Sequence, residues 1–523
     1  MLDRITGKPV HEYIQLIGCF GVAAGLPWSK VPLSLAFVLL ALNFFLRGDF
    51  ADVVQNWKRK KALLFFIGFV AIELLSILWS QNKSQALSSI YINAPYYVTP
   101  LLIVAKPFSK RKQIQWIGLV FILACFVTSF INIGSYLHWW GNKVYDDFRG
   151  LSQFVSHVRY SLIIVLSAVF CLVWFIYKLP FRWFALPLLA WFLFYTYFAQ
   201  VISGYIAFTA CVFVISILYL YSVKSKFFRL AISVCFIGLF TFSVLWIYKM
   251  IQPVPEKVKV EDLPTHTLNG TAYWDPSADL WENGYPIYGC YCPEELEVAW
   301  NKISDINYQT GKVPTGDYVH NTLHRYMTSK GLCKDSAGVS KLSESDISNI
   351  EKGINSILVL EGGIKSRLYT ISYQLQNASD PNGHSLLERL EYWKAATHIV
   401  KNKWLIGVGV GDIQDEFNSY YDTTNSKLIP ENRHRAHQQY LTVIISSGVV
   451  AFAFFMLWWF AQVKVAWRLK SLTWLCFITI SMGSFLTEDT LETQLGGTFV
   501  TFFFGLFIAH PKWFMKKQST NKV

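Results

Sequence analysis

Four basic side chains stand directly before an apolar segment in the stretch ENRHRAHQQY, residues 431–440. They are Arg433, His434, Arg435 and His437. An imidazole at a membrane boundary can accept a proton near neutral pH, and planar guanidinium groups make paired hydrogen bonds to phosphate oxygens. The pattern therefore predicts a site in which His437 moves a proton while Arg433 and Arg435 bind an anionic phosphate group. The alternative is contact with lipid headgroups.

Three further arginines could contribute to the same anion site. Arg389 lies in SLLERLEYWKAATHIVKN, whose helical spacing places Arg389, Trp393 and Ala396 on one face. Arg149 and Arg159 precede and open an apolar run, on a side of the membrane where basic residues are otherwise scarce. We expect one of these two to share the anion site, again with headgroup contact as the alternative.

The elements that must position these residues are those of a membrane protein, as the composition indicates. Of 523 residues, 53% are hydrophobic and only 15% are charged, whereas soluble domains carry roughly 25% charged residues. Runs of about 17 to 25 apolar residues indicate membrane-spanning helices. We predict about twelve spans, at 12–27, 31–46, 62–79, 88–105, 114–135, 160–177, 182–200, 201–221, 229–248, 437–462, 472–487 and 494–509.

Basic residues fix the expected orientation of these spans. Lys and Arg crowd alternate loops, as in KRKK at 58–61 and KRK at 110–112, and such loops face the cytoplasm. The predicted fold is an all-α polytopic membrane protein with nine helices in 1–248, a large outer loop domain in 249–436 and three helices in 437–523. Because the net charge of +13 mostly forms a collar on the inner face, we expect no nucleic-acid partner.

The long loop is predicted to be mainly helical and to carry three cysteines. Pro293 opens one helix candidate, and Ser343 stands three residues ahead of Asp346 as a near capping box for another. In an oxidising compartment Cys333 can pair with either Cys290 or Cys292. A zinc site is less favoured because no second cysteine pair follows at ligand spacing, and we predict no metal.

Three other patterns are interpreted without a catalytic role. GVGVGD, at 407–412, lacks a preceding strand and the full spacing of a phosphate loop, so it is expected to be a turn between helices. TEDTLE, at 487–492, is expected to be a solvated acidic loop, the alternative being a divalent cation site. Glu73 is the carboxylate placed deepest in a predicted span, which makes it a functional suspect. It is expected to have no acid or base beside it at comparable depth.

The motifs resemble those of a family, the bacterial O-antigen ligases and O-antigen polymerases. RLEYWKAATHIVKNKWLIGVGVGDIQDEF looks like the family stretch in which an arginine and a tryptophan lead a helix that ends in a Gly-rich turn. RAHQQYLTVIISSGVVA looks like its motif of a histidine, an amide residue and a glycine about ten positions on. About twelve spans with a large loop between the ninth and tenth also match, most closely in the Bacteroidetes version.

The resemblance implies a GT-C-like fold, in the bacterial inner membrane, whose active site and large loop are periplasmic. It implies an inverting glycosyltransferase that uses no metal and no cofactor, with His437 and Arg389 catalytic and Arg433, Arg435, Arg149 or Arg159 binding the diphosphate. The implied reaction is ligation of a polysaccharide from undecaprenyl diphosphate to lipid A-core, among membrane lipids. The alternatives are an O-antigen polymerase with the same donor, a protein O-oligosaccharyltransferase or a lipid-linked glycan transporter.

The sequence departs from the family at one position. The family often shows Ser-Arg at the opening of a span, where this chain has Ser203 followed by Gly204. One diphosphate-binding arginine is therefore missing from its expected place. We expect Arg149, Arg159 or Arg435 to supply that charge.

Overall fold

The structure, a computed structural model, is mostly helical. It describes residues 10–140, 148–223, 257–274, 280–314, 316–360, 363–376 and 381–512, with scattered positions between 225 and 245. Within these ranges the only strands form one small antiparallel sheet of β1 (Trp281–Glu282) and β2 (Tyr285–Pro286). The chain divides into two compact units, one comprising 1–224, 392–426 and 433–523, and the other 225–391 and 427–432.

The first unit contains the apolar helices. Its N-terminal helices are α1 (Val10–Gly25), α2 (Lys30–Arg47), α3 (Phe50–Lys58), α4 (Lys61–Leu75), α5 (Lys83–Ala105), α6 (Arg111–Tyr136), α7 (His157–Ile176), α8 (Ala185–Ala199) and α9 (Ile202–Ser222).

The second unit is built from short helices. They are α10 (Pro293–Trp300), α11 (Val319–Ser329), α12 (Ser336–Val339), α13 (Glu344–Glu351) and α14 (Gly363–Gln376). Pro293 opens α10, and Ser343 and Asp346 form a capping box at α13, so both sequence signals are confirmed. A core that includes the buried Trp300 and Tyr326 holds α10, α11 and α13 together.

The remaining helices complete the first unit. They are α15 (Ser385–Lys403), which the division between units crosses after Glu391, then α16 (Ile413–Thr423), α17 (Gln439–Arg468), α18 (Leu472–Ser484) and α19 (Gln494–Ala509).

Seven helices in the described ranges are long and apolar enough to cross a membrane. They are α2, α4 with its short extension to Leu78, α5, α6, α7, α9 and α17, while α18 and α19 are apolar but shorter. The chain is therefore a multi-pass membrane protein. The predicted spans at 12–27 and 182–200 form helices of 16 and 15 residues, and most of the span predicted at 229–248 lies outside the described residues. The number of twelve stays a prediction.

Helix α17 is broken inside the membrane segment, where the sequence had indicated one continuous span. Gly448 has φ 76° and ψ −176°, a non-helical conformation that favours glycine. The break releases the carbonyl groups of Ile445 and Ser446 from the helix. They accept hydrogen bonds of 2.7 and 2.9 Å from the backbone N–H groups of Val408 and Gly409.

The segment that occupies this break is GVGVGD, which is confirmed as a turn between α15 and α16. Asp412 at its end accepts hydrogen bonds from the backbone N–H groups of Gln81 and Asn82, at 2.6 and 2.7 Å. The turn thus joins the loop between α4 and α5 to the broken helix α17. These contacts hold the broken part of α17, at residues 445–449, against the turn.

Candidate active site

His437 lies before helix α17 rather than in its first turn, where hydropathy alone had placed it. Helix α17 begins at Gln439, and the side chain of Gln438 caps it by accepting a 2.7 Å hydrogen bond from the Leu441 N–H group. His437 itself has φ 46°, in the left-handed region. Its half-buried ring is 5.8 Å from that of the buried Tyr392 and 5.9 Å from that of His434, measured between centroids.

Helices α15 and α16 fix the backbone just upstream of this histidine. The Trp393 indole N–H donates a 3.1 Å hydrogen bond to the carbonyl group of Ala436. The Tyr421 hydroxyl donates to the carbonyl group of His434 at 2.9 Å, and the Gln414 amide donates to that of Arg433 at 3.0 Å. The Arg-Ala-His segment is therefore held in position by hydrogen bonds to the main-chain carbonyl group of its alanine and to those of the two residues before it.

The acidic loop between α18 and α19 meets this segment. Asp489 is buried and accepts a 2.7 Å hydrogen bond from the Thr442 hydroxyl in the first turn of α17. Its carboxylate also interacts electrostatically with His437 and Arg435. Burial raises the pKa of Asp489, and Thr442, His437 and Arg435 oppose that rise. A buried carboxylate therefore acts electrostatically on the candidate base.

Glu492 holds the neighbouring arginine. Its carboxylate is 3.9 Å from the Arg435 guanidinium, and Gln439 links the two segments by accepting a 2.8 Å hydrogen bond from the Leu491 N–H group. Burial raises the pKa of Glu492, and Arg435 lowers it. The expectation of a solvated acidic loop is therefore wrong, because Asp489 and Leu491 are buried against the start of α17.

Arg159 reaches the same loop from helix α7. It interacts electrostatically with Glu488 and Asp489, and its Nε is buried without a hydrogen-bond partner among the described residues. Arg159 lies half a turn from Ser161, whose hydroxyl is 3.1 Å from that of Ser203 in α9. Arg159 and Arg435 therefore both interact electrostatically with Asp489, from two distant segments of the chain.

Close packing explains the missing arginine at position 204. A Cβ atom added to Gly204 would lie 3.0 Å from the Cβ atom of Ser161 in α7, which is tighter than ordinary van der Waals contact. A side chain at this position would require Ser161 to move by a few tenths of an ångström. The residue that supplies the missing charge stays a prediction.

The other predicted arginines have different surroundings. Arg433 pairs with Asp422 of α16, at 2.5 Å. Arg389 is half-buried in α15, one turn before Tyr392 and Trp393, and belongs to the second unit. Arg149 lies in a short helical turn, but its side chain is outside the described residues. The roles of these three stay predictions.

Glu73 has polar partners that the sequence did not lead us to expect. It is buried in α4 and accepts hydrogen bonds from the hydroxyl groups of Tyr96 and Tyr97 in α5, at 2.8 and 3.3 Å. It also interacts electrostatically with Glu492, and Asn93 of α5 hydrogen-bonds to that same glutamate. The expectation of an isolated intramembrane acid is therefore wrong.

The described residues contain no group of three or more His, Cys, Asp or Glu side chains that could hold a metal ion. The residues that sequence reasoning missed are Asp489 and Glu492, although TEDTLE had been singled out as an acidic motif. Its link to His437 depends on helix packing across some fifty residues of chain.

Residues 354–456 match the family model described as O-antigen ligase. This segment contains Arg389, the GVGVGD turn, His437 and the glycine of the α17 break. No curated protein matches the chain. The family match confirms, over this segment of the chain, the resemblance to O-antigen ligases seen in the motifs.

Proposed function

We propose that this protein is an O-antigen ligase. It transfers a polysaccharide from undecaprenyl diphosphate to a sugar hydroxyl of lipid A-core, at the periplasmic face of the bacterial inner membrane. The observation that supports the proposal is the electrostatic interaction of His437, Arg435 and Arg159 with the buried carboxylate of Asp489. A base and two guanidinium groups are the side chains that transfer from a diphosphate carrier requires.

His437 serves as the general base in this proposal. It accepts the proton of the acceptor hydroxyl as the oxygen attacks the anomeric carbon, a role that typically contributes about 10²- to 10⁴-fold to the rate. The imidazolium that forms is cationic, so the negative charge of Asp489 favours it. Attack in a single displacement inverts the configuration at the anomeric carbon.

The diphosphate leaves as an anion and needs positive charge more than a proton. Arg435 and Arg159 are the arginines that interact with Asp489, and Arg389, with Arg433 and Arg149, remain candidates for the same role. Fixed charges that meet developing negative charge often make the greatest contribution to catalysis. The Nε of Arg159, which has no partner among the described residues, offers a donor to a phosphate oxygen. Arg159 takes the place of the arginine missing at Gly204.

The test is a reconstituted assay with a defined lipid-linked glycan as donor and lipid A-core as acceptor. We expect transfer without added metal, unchanged by a chelator, and a loss of about 10²-fold or more in His437→Ala. The matched control is His434→Ala, because His434 is the neighbouring, exposed imidazole. Normal transfer by His437→Ala protein of confirmed abundance would refute the mechanism.

The same assay separates ligase from polymerase. A polymerase uses the same donor but accepts a second carrier-linked glycan, so its product stays on the carrier. Transfer to lipid A-core alone supports the ligase, whereas extension of the carrier-linked glycan alone assigns the protein to the polymerases. Transfer by purified protein in detergent would exclude a pure transporter.

A further inference from the structure

Two of the three loop cysteines, Cys290 and Cys333, each stand directly before one residue of a backbone-paired couple in the second unit. Tyr291 and Lys334 form an isolated parallel β-bridge. The Lys334 N–H group donates to the carbonyl group of Cys290 at 2.8 Å, and the Cys292 N–H group donates to that of Lys334 at 3.0 Å. Continued by one residue toward the N-terminus, this register brings Cys290 opposite Cys333, although Cys290 itself has φ 48° and ends the extended segment, whereas Cys292 lies two residues further along than Cys290.

The register decides which pair of cysteines a disulfide could join. Laterally paired residues have Cα atoms about 4.8 Å apart, inside the range of about 4.4–6.8 Å that a disulfide needs. Cys292 is displaced by two residues, or about 6.6 Å along the strand, so its Cα atom lies about 8 Å from that of Cys333. That separation exceeds the limit of about 7 Å for bridging without backbone movement.

The thiol groups of the favoured pair already interact. The Cys290 thiol donates a hydrogen bond to the Cys333 sulfur, which raises the pKa of Cys290 and lowers that of Cys333 to about 6. Tyr273 also hydrogen-bonds to Cys333 and lowers its pKa further. Cys333 is partly exposed, whereas Cys290 and Cys292 are buried. Cys333 is therefore both the more nucleophilic and the more accessible thiol.

We propose that Cys290 and Cys333 form a structural disulfide bond while Cys292 remains a thiol. The proposal rests on the periplasmic orientation of the loop domain in the proposed function, because disulfides persist in oxidising compartments. The bond would close a covalent loop of roughly 40 residues that contains α10 and α11, a size at which cross-links restrict the unfolded chain appreciably.

The oxidant is a disulfide of a periplasmic thiol–disulfide exchange protein. The Cys333 thiolate attacks one sulfur of that disulfide, which forms a mixed disulfide and releases the other sulfur as a thiolate. Cys290, after losing its proton, attacks the Cys333 sulfur, forms the Cys290–Cys333 bond and releases the second sulfur. Two electrons pass to the oxidant, which ends as a dithiol carrying the two thiol protons.

Peptide mapping of the full-length protein tests the bond. Membranes are treated with a thiol-alkylating reagent in denaturant without reductant, and the protein is then purified and digested. In the wild type we expect a peptide pair joined through Cys290 and Cys333, separated by reductant, with Cys292 alkylated. Cys292→Ser should keep the joined pair, and Cys290→Ser should abolish it and leave Cys333 alkylated.

Two results would overturn the proposal. One is a peptide pair joined through Cys292 and Cys333, and the other is alkylation of all three cysteines in the wild type. The mapping is read independently of glycan transfer in the same membranes. A joined pair without transfer would count against the proposed function and not against the bond, whereas transfer with three alkylated thiols would count only against the bond.

Discussion

Replacing Gly448 by alanine should disrupt the site from within helix α17. An added Cβ atom would lie 2.2 Å from the carbonyl oxygen of Leu405 and 2.6 Å from the Cα atom of Ile406. These are backbone atoms, which cannot rotate away as a flexible side chain would. The φ of 76° and ψ of −176° also fall in a region that costs a non-glycine residue about 1–3 kcal/mol.

The expected magnitude follows from the contacts that must yield. Relief of the clash separates the 404–409 segment from the break and strains three hydrogen bonds there, including the 2.8 Å bond from the Val449 N–H group to the Trp404 carbonyl group. Such bonds contribute about 0.5–1.5 kcal/mol each. Together with the backbone cost we expect a destabilisation of about 3 kcal/mol or more, roughly a hundredfold in an equilibrium constant.

Thermal unfolding in detergent and glycan transfer measure the effect of Gly448→Ala. We expect a melting temperature lower by several degrees and a matching loss of transfer, because the break holds the turn that leads into α16, whose Gln414 and Tyr421 hydrogen-bond to the segment before His437. The control is Gly483→Ala in α18, where nothing lies within 4 Å of the added Cβ atom. Wild-type stability and transfer in Gly448→Ala would refute the account of the break.

Substitutions at three further residues test the charges of the site. Arg389→Ala should lose at least as much transfer as His437→Ala, because stabilisation of the departing anion often accelerates a reaction more than general base catalysis does; near-normal transfer would remove Arg389 from the anion site. Arg159→Ala should be severely impaired and Arg159→Lys partly active, and wild-type activity in both would return Arg159 to headgroup contact. Because burial raises the pKa of Asp489, its carboxylate takes up a proton at a higher pH than the usual value of about 3.9 as the pH falls. The wild-type rate should fall with protonation of Asp489 as well as with protonation of the base His437, whereas Asp489→Asn should be slow throughout and keep only the decline due to His437.

Local signals in the sequence predicted the local structure well. The proline that opens α10, the capping box of α13 and the glycine-rich turn at 407–412 are all present. Each is decided by residues within a few positions of one another, through φ preferences and side-chain capping of free backbone groups. The sequence points to His437 and Arg435 for a similar reason, since imidazole and guanidinium groups at this spacing indicate proton transfer and anion binding, and these roles stay predictions.

The acids of the site could not be placed from the sequence. TEDTLE has the composition of a solvated loop, and solvation is the expected state of three carboxylates that lack visible partners. Asp489 accepts a hydrogen bond from a hydroxyl in α17, and the Leu491 N–H group donates one to the side chain of Gln439. These partners are distant along the chain, so only the packing of helices reveals that the loop faces a cationic segment.

The break in α17 could not be predicted from the sequence either, because hydropathy indicates the length and composition of a span but not its hydrogen bonding. A helix interrupted within a membrane leaves carbonyl groups that no water can satisfy. Here the two carbonyl groups freed at Gly448 accept hydrogen bonds from the N–H groups of Val408 and Gly409. The Val449 N–H group donates to the carbonyl group of Trp404. The histidine motif and the glycine turn are thus two halves of one hydrogen-bonded structure. Their joint presence in the segment that matches the O-antigen ligase model therefore has a physical cause, since neither half can satisfy its backbone alone.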